Sequence, residues 1–207
     1  MSERREPLVL WTIGCLALCW SAWEPKDRAV WVMETVPAMA GGIALALTYK
    51  RFPFTPIAYR LMLFFALILM VGGKYTYAEV PVGFMVKEWL GLQRNHFDRF
   101  GHFFQGVIPA IVAREMLIRC TPLKPGKALF WICSSVALAI SAMYELVEWV
   151  SALKAPAEQG LAFLGSQGDV WDAQKDMLMA LLGSIAAQLL FARVHDRQIA
   201  ALPPRTP

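Results

Sequence analysis

The chain has 207 residues, 57% of them hydrophobic and only 17% charged, with a mean hydropathy of +0.45. A soluble domain carries about 25% charged residues, so this composition excludes an ordinary globular enzyme. It assigns an all-α polytopic transmembrane helix bundle, one integral-membrane domain over residues 1–207. The net charge of +4 lies in short segments between apolar runs. That placement makes membrane lipids the partner and argues against nucleic acid.

Six apolar runs predict about six spans, near Leu8–Trp23, Ala29–Tyr49, Ile57–Tyr77, Phe100–Ile118, Ala128–Leu153 and Met177–Val194. The first is short for a hydrocarbon core roughly 30 Å thick, and its tryptophans serve as interfacial anchors. Its basic start and Ser21-Ala22 also suit a signal peptide, but Trp23-Glu24-Pro25 makes a poor cleavage site, so a retained helix is expected. In the second run Glu34, followed by Pro37, is an additional candidate for a polar site. Lys74, Tyr75 and Tyr77 end the third run as a snorkelling lysine and an aromatic belt. The segment Val80–Leu92, with Phe84 and Trp89, reads either as an interfacial helix roofing the bundle or as a loop. Cys15, Cys19, Cys120 and Cys133 form no Cys-x-x-Cys pair and read as buried small hydrophobes.

Three polar clusters interrupt the apolar pattern. In Asn95–Gly106, a helix starting near Phe97 places Asp98, His102 and Gln105 at i, i+4 and i+7, on one face. A carboxylate and an imidazole so spaced can share a metal, or the acid can fix the imidazole tautomer. Capping, with Asn95 as N-cap, accounts equally well for Asp98 but leaves His102 and Gln105 unexplained. In the fifth run, Ser134, Ser141, Glu145 and Glu148 make one small, polar face. Two acids one turn apart do not both stay ionised without a cation between them. A helix end reaching water explains Glu148; Glu145 lies a turn deeper. In the third cluster Asp169, Asp172 and Asp176 follow Gly168 at i, i+3 and i+7, one helical stripe. Dipole pairing accounts for the first two acids, whereas Asp176 lies too far into the helix for it.

Oxygen-rich ligands with an imidazole suit Mg²⁺, Mn²⁺ or Zn²⁺. The candidate metal ligands are His102, Asp98, Glu145, Glu148, Asp172, Asp176 and Asp169, and the candidate catalytic groups are Glu145, Asp176 and His102. Near the other end, Arg114 and Glu115 read as a local pair, and His195-Asp196 as solvated.

Asp-Arg-Phe-Gly-His at 98–102, Tyr-Glu-x-x-Glu-Trp at 144–149 and Gly-Asp-x-Trp-Asp-x-x-x-Asp at 168–176 resemble the YjdF family. The resemblance runs from about Pro53 to Ala192 and implies a bacterial inner-membrane protein, without bringing an activity. A more distant likeness is to VanZ-like membrane proteins, carried by Asp98, Arg99 and His102, then Glu145, then Asp176 with Gly183. Ala180 stands where those proteins have Asn, and the likeness implies at most an envelope role.

Three functions fit these residues. One is a metal-dependent enzyme acting on a lipid-like or envelope substrate. Another is a cation- or proton-coupled transporter or ion-binding protein. The third is a scaffold whose charges only tie helices together. Twelve of the 20 Lys and Arg fall on one side of the predicted membrane, among them Arg4, Arg5, Lys124, Lys127, Arg197 and Arg205. This bias predicts both termini in the cytoplasm and the acid clusters outside. Reporter fusions at Arg94 and Ala157 should therefore read as external and a fusion after Pro207 as internal. An external reading after Pro207 would reject this topology.

Overall fold

The computed structural model describes residues 6–202, so Arg4, Arg5 and Arg205 lie outside the described residues. Every described element is helical: α1 (Glu6–Ala22), α2 (Arg28–Thr48), α3 (Pro56–Tyr75), a 3-10 turn (Tyr77–Glu79), α4 (Pro81–Leu90), α5 (Phe97–Cys120), α6 (Lys127–Lys154), α7 (Ala157–Leu164) and α8 (Asp172–Ala201). A helix stands at each of the six apolar runs. Four of them, α2, α3, α6 and α8, are long and apolar enough to cross a membrane. The shorter α1 is apolar throughout its 17 residues. α5, at 24 residues, carries charge at both ends.

Local chemistry sets the boundaries. Asp27 caps α2, its Oδ1 accepting from the N–H groups of Ala29 (2.7 Å) and Val30 (3.1 Å). Pro56 and Pro81 open α3 and α4, where a missing N–H costs nothing. Gly91 and Gly165 end α4 and α7 in the left-handed region, at φ 63° and 61°. The segment after α3 is therefore a true helix, exposing Met85 and Trp89. The sequence did not announce α7.

α5 sits between α3, α6 and α8 and packs most extensively on α8. The two backbones touch. A Cβ on Gly106 would stand 1.8 Å from the Ala180 carbonyl oxygen, and one on Gly183 1.9 Å from that of Phe103. Beside this crossing Val107, Ile111, Ala187 and Ala58 form the apolar core, with Phe103 and Phe104 against it. α6 lies along the pair through buried Ser134, Ala137 and Ser141. α1 and α2 both pack on α3 and meet where Trp31 Nε1 donates to Ser21 Oγ (3.0 Å), while Trp11, Leu16 and Trp20 of α1 stay exposed. Cys15 and Cys19 are accordingly exposed rather than buried, as is Cys120; only Cys133 is enclosed.

The far end of α5 and α8 departs from the expected picture. α8 continues to Ala201, which carries His195 inward on the same face as Gln188, and both are buried. His195 is not solvated: its Nε2 lies 3.0 Å from Glu115 Oε2. Nor do Arg114 and Glu115 pair with each other. Arg114 Nη2 reaches Asp196 Oδ1 at 2.7 Å, while Glu115 accepts from Arg119 (2.7 Å) and from the Thr55 hydroxyl (2.8 Å). Adjacent residues on a helix point about 100° apart, so neighbours in sequence take different partners.

The α5–α8 contact yields a test. Gly106→Ala must push the helices apart at a wedged backbone, at a cost of about 1–3 kcal/mol. Gly42→Ala, at a helical position with nothing within 4 Å, should be neutral or stabilising. Melting of the two variants in detergent checks this, and an unchanged melting temperature for Gly106→Ala would refute the close contact.

Candidate functional site

The end of the bundle where α5 and α8 begin and α6 finishes carries the acid clusters. Asn95, fully buried, organises the approach. Its Oδ1 accepts from Phe97 N–H (3.0 Å), its Nδ2 donates to the Val80 carbonyl (3.0 Å), and its backbone exchanges bonds with the Gln167 side chain (3.0 and 2.8 Å). His96 stands at the N-cap position without a side-chain cap bond, so Asn95, one residue earlier, takes the first free N–H of α5 while tying three segments together. Burial and the guanidinium groups of Arg99 and Arg94 push the His96 imidazole below its ordinary range, which leaves it neutral near pH 7.

An ion-paired shell covers the site. Arg94 donates to Asp172 Oδ1 (2.5 Å) and to the carbonyls of Ser166 (3.0 Å) and Gly165 (3.1 Å). Arg99 donates to Asp169 Oδ2 (2.5 Å), which also accepts from Lys175 (2.6 Å). Lys175, the Trp171 N–H and Arg99 hold the Asp169 carboxyl below the usual carboxylate range. α8 begins only at Asp172, so Asp169 belongs to the preceding turn and the expected helical stripe reduces to Asp172 and Asp176. Asp169 and Asp172 thus find their partners among arginines and a lysine.

Beneath the shell lies a second group, almost without cations. His102 Nδ1 lies 2.8 Å from Gln105 Oε1. With the amide oxygen accepting, the proton sits on Nδ1, and in the neutral ring Nε2 then carries the lone pair. That lone pair faces Asp98 Oδ1 at 3.6 Å and Glu145 Oε1 at 3.5 Å. Ligand atoms of Asp98, His102 and Asp176 lie within 4.8 Å of one another, as do those of His102, Glu145 and Glu148. Glu145 Oε1 and Asp176 Oδ1 are buried without a hydrogen-bond partner, and Arg99 Nε approaches the latter only to 3.9 Å. Two such triads sharing His102 call for a cation or shared protons among them.

Of the seven predicted metal ligands, the structure brings together Asp98, His102, Glu145, Glu148 and Asp176, and places Asp169 and Asp172 in the shell. Glu148 is 6% exposed, so it is not the water-reaching end of a helix. Glu34 of α2 joins the group: it is 3% exposed and accepts a 3.1 Å bond from the Tyr144 hydroxyl. Glu34, Tyr144, Asp98, His102, Gln105 and Glu148 line a cavity of ≈ 20 Å³. Space of about 10–15 Å³ holds one water-sized occupant.

Sequence reasoning missed Arg94, Tyr77 and Tyr144. Arg94 stood as one loop cation among several. Tyr77 is no belt residue: α3 ends at Tyr75, and the next turn folds the ring inward against Gly72 and Gly101. Tyr144 lay inside a quoted motif, directly before Glu145.

The shell predicts unequal costs. Arg94→Gln leaves Asp172, 6% exposed, with Arg99 at 3.5 Å as its remaining cation. The expected loss is about 3 kcal/mol, the low end for a broken buried pair. Lys175→Gln removes a half-exposed partner and should cost about 1 kcal/mol or less. Melting temperatures in detergent compare the two, and equal losses would contradict the burial of the Arg94 pair.

The family described as "Predicted membrane protein (DUF2238)" matches residues 6–197. The chain is 48% identical over 202 residues to "Inner membrane protein YjdF" of Escherichia coli (strain K12), covering 96% of each. No solved structure matches. The relative and the apolar helices together support a multi-pass location in the inner membrane. With a match across nearly its whole length, the chain belongs to the YjdF, or DUF2238, family of membrane proteins.

Proposed function

We propose that the inner group binds one divalent cation and that the protein is a metal-dependent membrane enzyme acting at the outer leaflet on a lipid-like or envelope substrate. The carrying observation is His102 Nε2 facing Asp98 and Glu145, with buried oxygens of Glu145 and Asp176 left unpartnered. A purely structural tie would satisfy these atoms, since an unpaired buried acceptor costs about 1–3 kcal/mol. His102 would hold the ion either with Asp98 and Asp176 or with Glu145 and Glu148; one imidazole among carboxylates suits Zn²⁺, Mn²⁺ or Mg²⁺. Such an ion polarises a phosphoryl or acyl oxygen, or lowers the pKa of a water. The carboxylate outside the ligand set would take the proton. Gln105 fixes the tautomer that leaves Nε2 available.

The size of the cavity favours a second reading. Its ≈ 20 Å³ admits an ion or a water and nothing larger, as an ion-binding or cation-coupled transport site requires. In that case the cation or proton is cargo. The cavity borders Asp98, His102 and Glu148, so the two readings share those residues and differ in what leaves the site.

Purified protein should retain a divalent ion by elemental analysis, and Glu145→Ala and His102→Gln should lose it at undiminished folded yield. Asp176→Asn should abolish cellular function while the protein still accumulates in the membrane. Metal-free protein whose melting temperature is unmoved by Mn²⁺ or Zn²⁺ would sink the metal site. Cation flux in proteoliposomes without lipid turnover would select transport.

A further inference from the structure

The opposite end of the bundle holds a larger cavity, ≈ 220 Å³, lined by Arg114, Gly126, Leu129, Phe130, Ala192 and Asp196 among others. Arg114 is the unusual member. It is 4% exposed, far down an otherwise apolar stretch of α5, where a cation is costly unless it serves a partner. Its Nη1 lies 3.4 Å from His195 Nδ1, and its Nη2 meets Asp196 Oδ1 at 2.7 Å. Asp196 is the weak half of that pair. Its side chain is 41% exposed, and Arg114 is the one partner described for it. A carboxylate held by a single contact at a cavity mouth can yield its place to another anion.

The rest of the lining indicates the kind of anion. Leu129, Phe130 and Ala192 supply apolar wall beside the guanidinium, as an amphiphile needs. Gln188 is already engaged, donating to Ser134 Oγ (3.0 Å) and to the carbonyls of Phe130 (3.2 Å) and Ser184 (3.3 Å). Arg114 is therefore the anion-binding group here. Lys124 and Lys127 flank the cavity in sequence, and Arg193 and Arg197 follow Ala192 and Asp196. Basic residues at the end of a span draw anionic headgroups.

We propose that this cavity binds the phosphate headgroup of an anionic membrane lipid, the phosphate pairing with Arg114 in place of Asp196 and the start of the acyl region resting on Leu129 and Phe130. A planar guanidinium that offers its fork to a phosphate binds it by paired, charge-assisted hydrogen bonds. Asp196 then acts as an internal competitor that occupies Arg114 when no lipid is bound.

The test uses the full chain in mixed micelles of phosphatidylcholine and phosphatidylglycerol, with lipid retention read by native mass spectrometry. Asp196→Asn frees Arg114 and should raise phosphatidylglycerol retention by about tenfold, the equivalent of losing one charge-assisted hydrogen bond. The double variant Arg114→Gln with Asp196→Asn removes both charges together, so the fold stays balanced, and should lose the retained lipid. Glu6→Gln makes the same change in net charge at the same end, where Glu6 pairs with Arg60, and should leave retention unchanged. Equal gains from Asp196→Asn and Glu6→Gln would reduce the effect to non-specific attraction and overturn the site. A rise in melting temperature with inorganic phosphate as large as that with phosphatidylglycerol would overturn the lipid assignment.

Discussion

The bundle depends on the place where α5 and α8 meet without side chains between them. In lipid, helices are not driven together by hydrophobic burial, because the tails are as apolar as leucine; close packing has to supply the attraction. Gly106 under Ala180 and Gly183 under Phe103 allow the two backbones to touch. That contact fixes the axial register of the pair. It puts Asp98 and His102 level with Asp176 at one end, and Arg114 and Glu115 level with His195 and Asp196 at the other. Neither polar assembly would form with the helices a methyl group further apart.

The two ends satisfy their charges differently. At the Arg114 end Glu115 is fully buried, yet it accepts from Thr55, Arg119 and His195. Each Glu115 oxygen is matched by a donor, and the result is a clasp joining α5, α8 and the start of α3. At the other end Arg94, Arg99 and Lys175 are engaged by Asp169 and Asp172. Glu34, Asp98, Glu145, Glu148 and Asp176 lie beneath with little positive charge left for them. Burial weakens water's screening, so these acids repel one another more strongly than they would at a surface. The imbalance separates the inner acid group from the Glu115 clasp: both are buried and ionic, and only the clasp around Glu115 is complete by itself.

Most of this was legible where a residue type is costly in its setting. Five of the six apolar runs gave their helices to within a few residues, the sixth falling short of α8 at both ends, and His102, Glu145 and Asp176 stood out as polar groups on apolar faces. The fold class followed from composition alone. What could not be read was pairing across the sequence. Asp169 and Asp172 have ligand chemistry in the sequence, and only the meeting of Asp169 with Arg99, 70 residues earlier, and of Asp172 with Arg94, 78 residues earlier, turns them into shell. His195 looked like part of a tail because the apolar run ends before it; the helix continues, and its heptad step from Gln188 carries the ring inward. α7 is amphipathic but only eight residues long, too short for its pattern to distinguish a helix from a loop. Gly83 shows the same limit in small: its missing side chain is needed because Asn95 Oδ1 occupies the spot where a Cβ would stand, 1.9 Å away.

The cover over the acids decides how they can be reached. From above, Arg94 binds the carbonyls of Gly165 and Ser166, the turn in which α7 ends, and so clips that turn onto Asp172. Gly165 itself lies over Asp98, where a Cβ would sit 3.3 Å from Oδ2. From the side, α2 closes the group against α6 by the bond from Tyr144 to Glu34. The upper closure uses full charges and carbonyls, whereas the lateral one is a single neutral donor on a carboxylate. A charge-assisted, multiply bonded arginine is the harder of the two to part. The polar group is therefore held more firmly beneath the α7 turn than against α2, and the Tyr144–Glu34 bond is the weaker of these two closures.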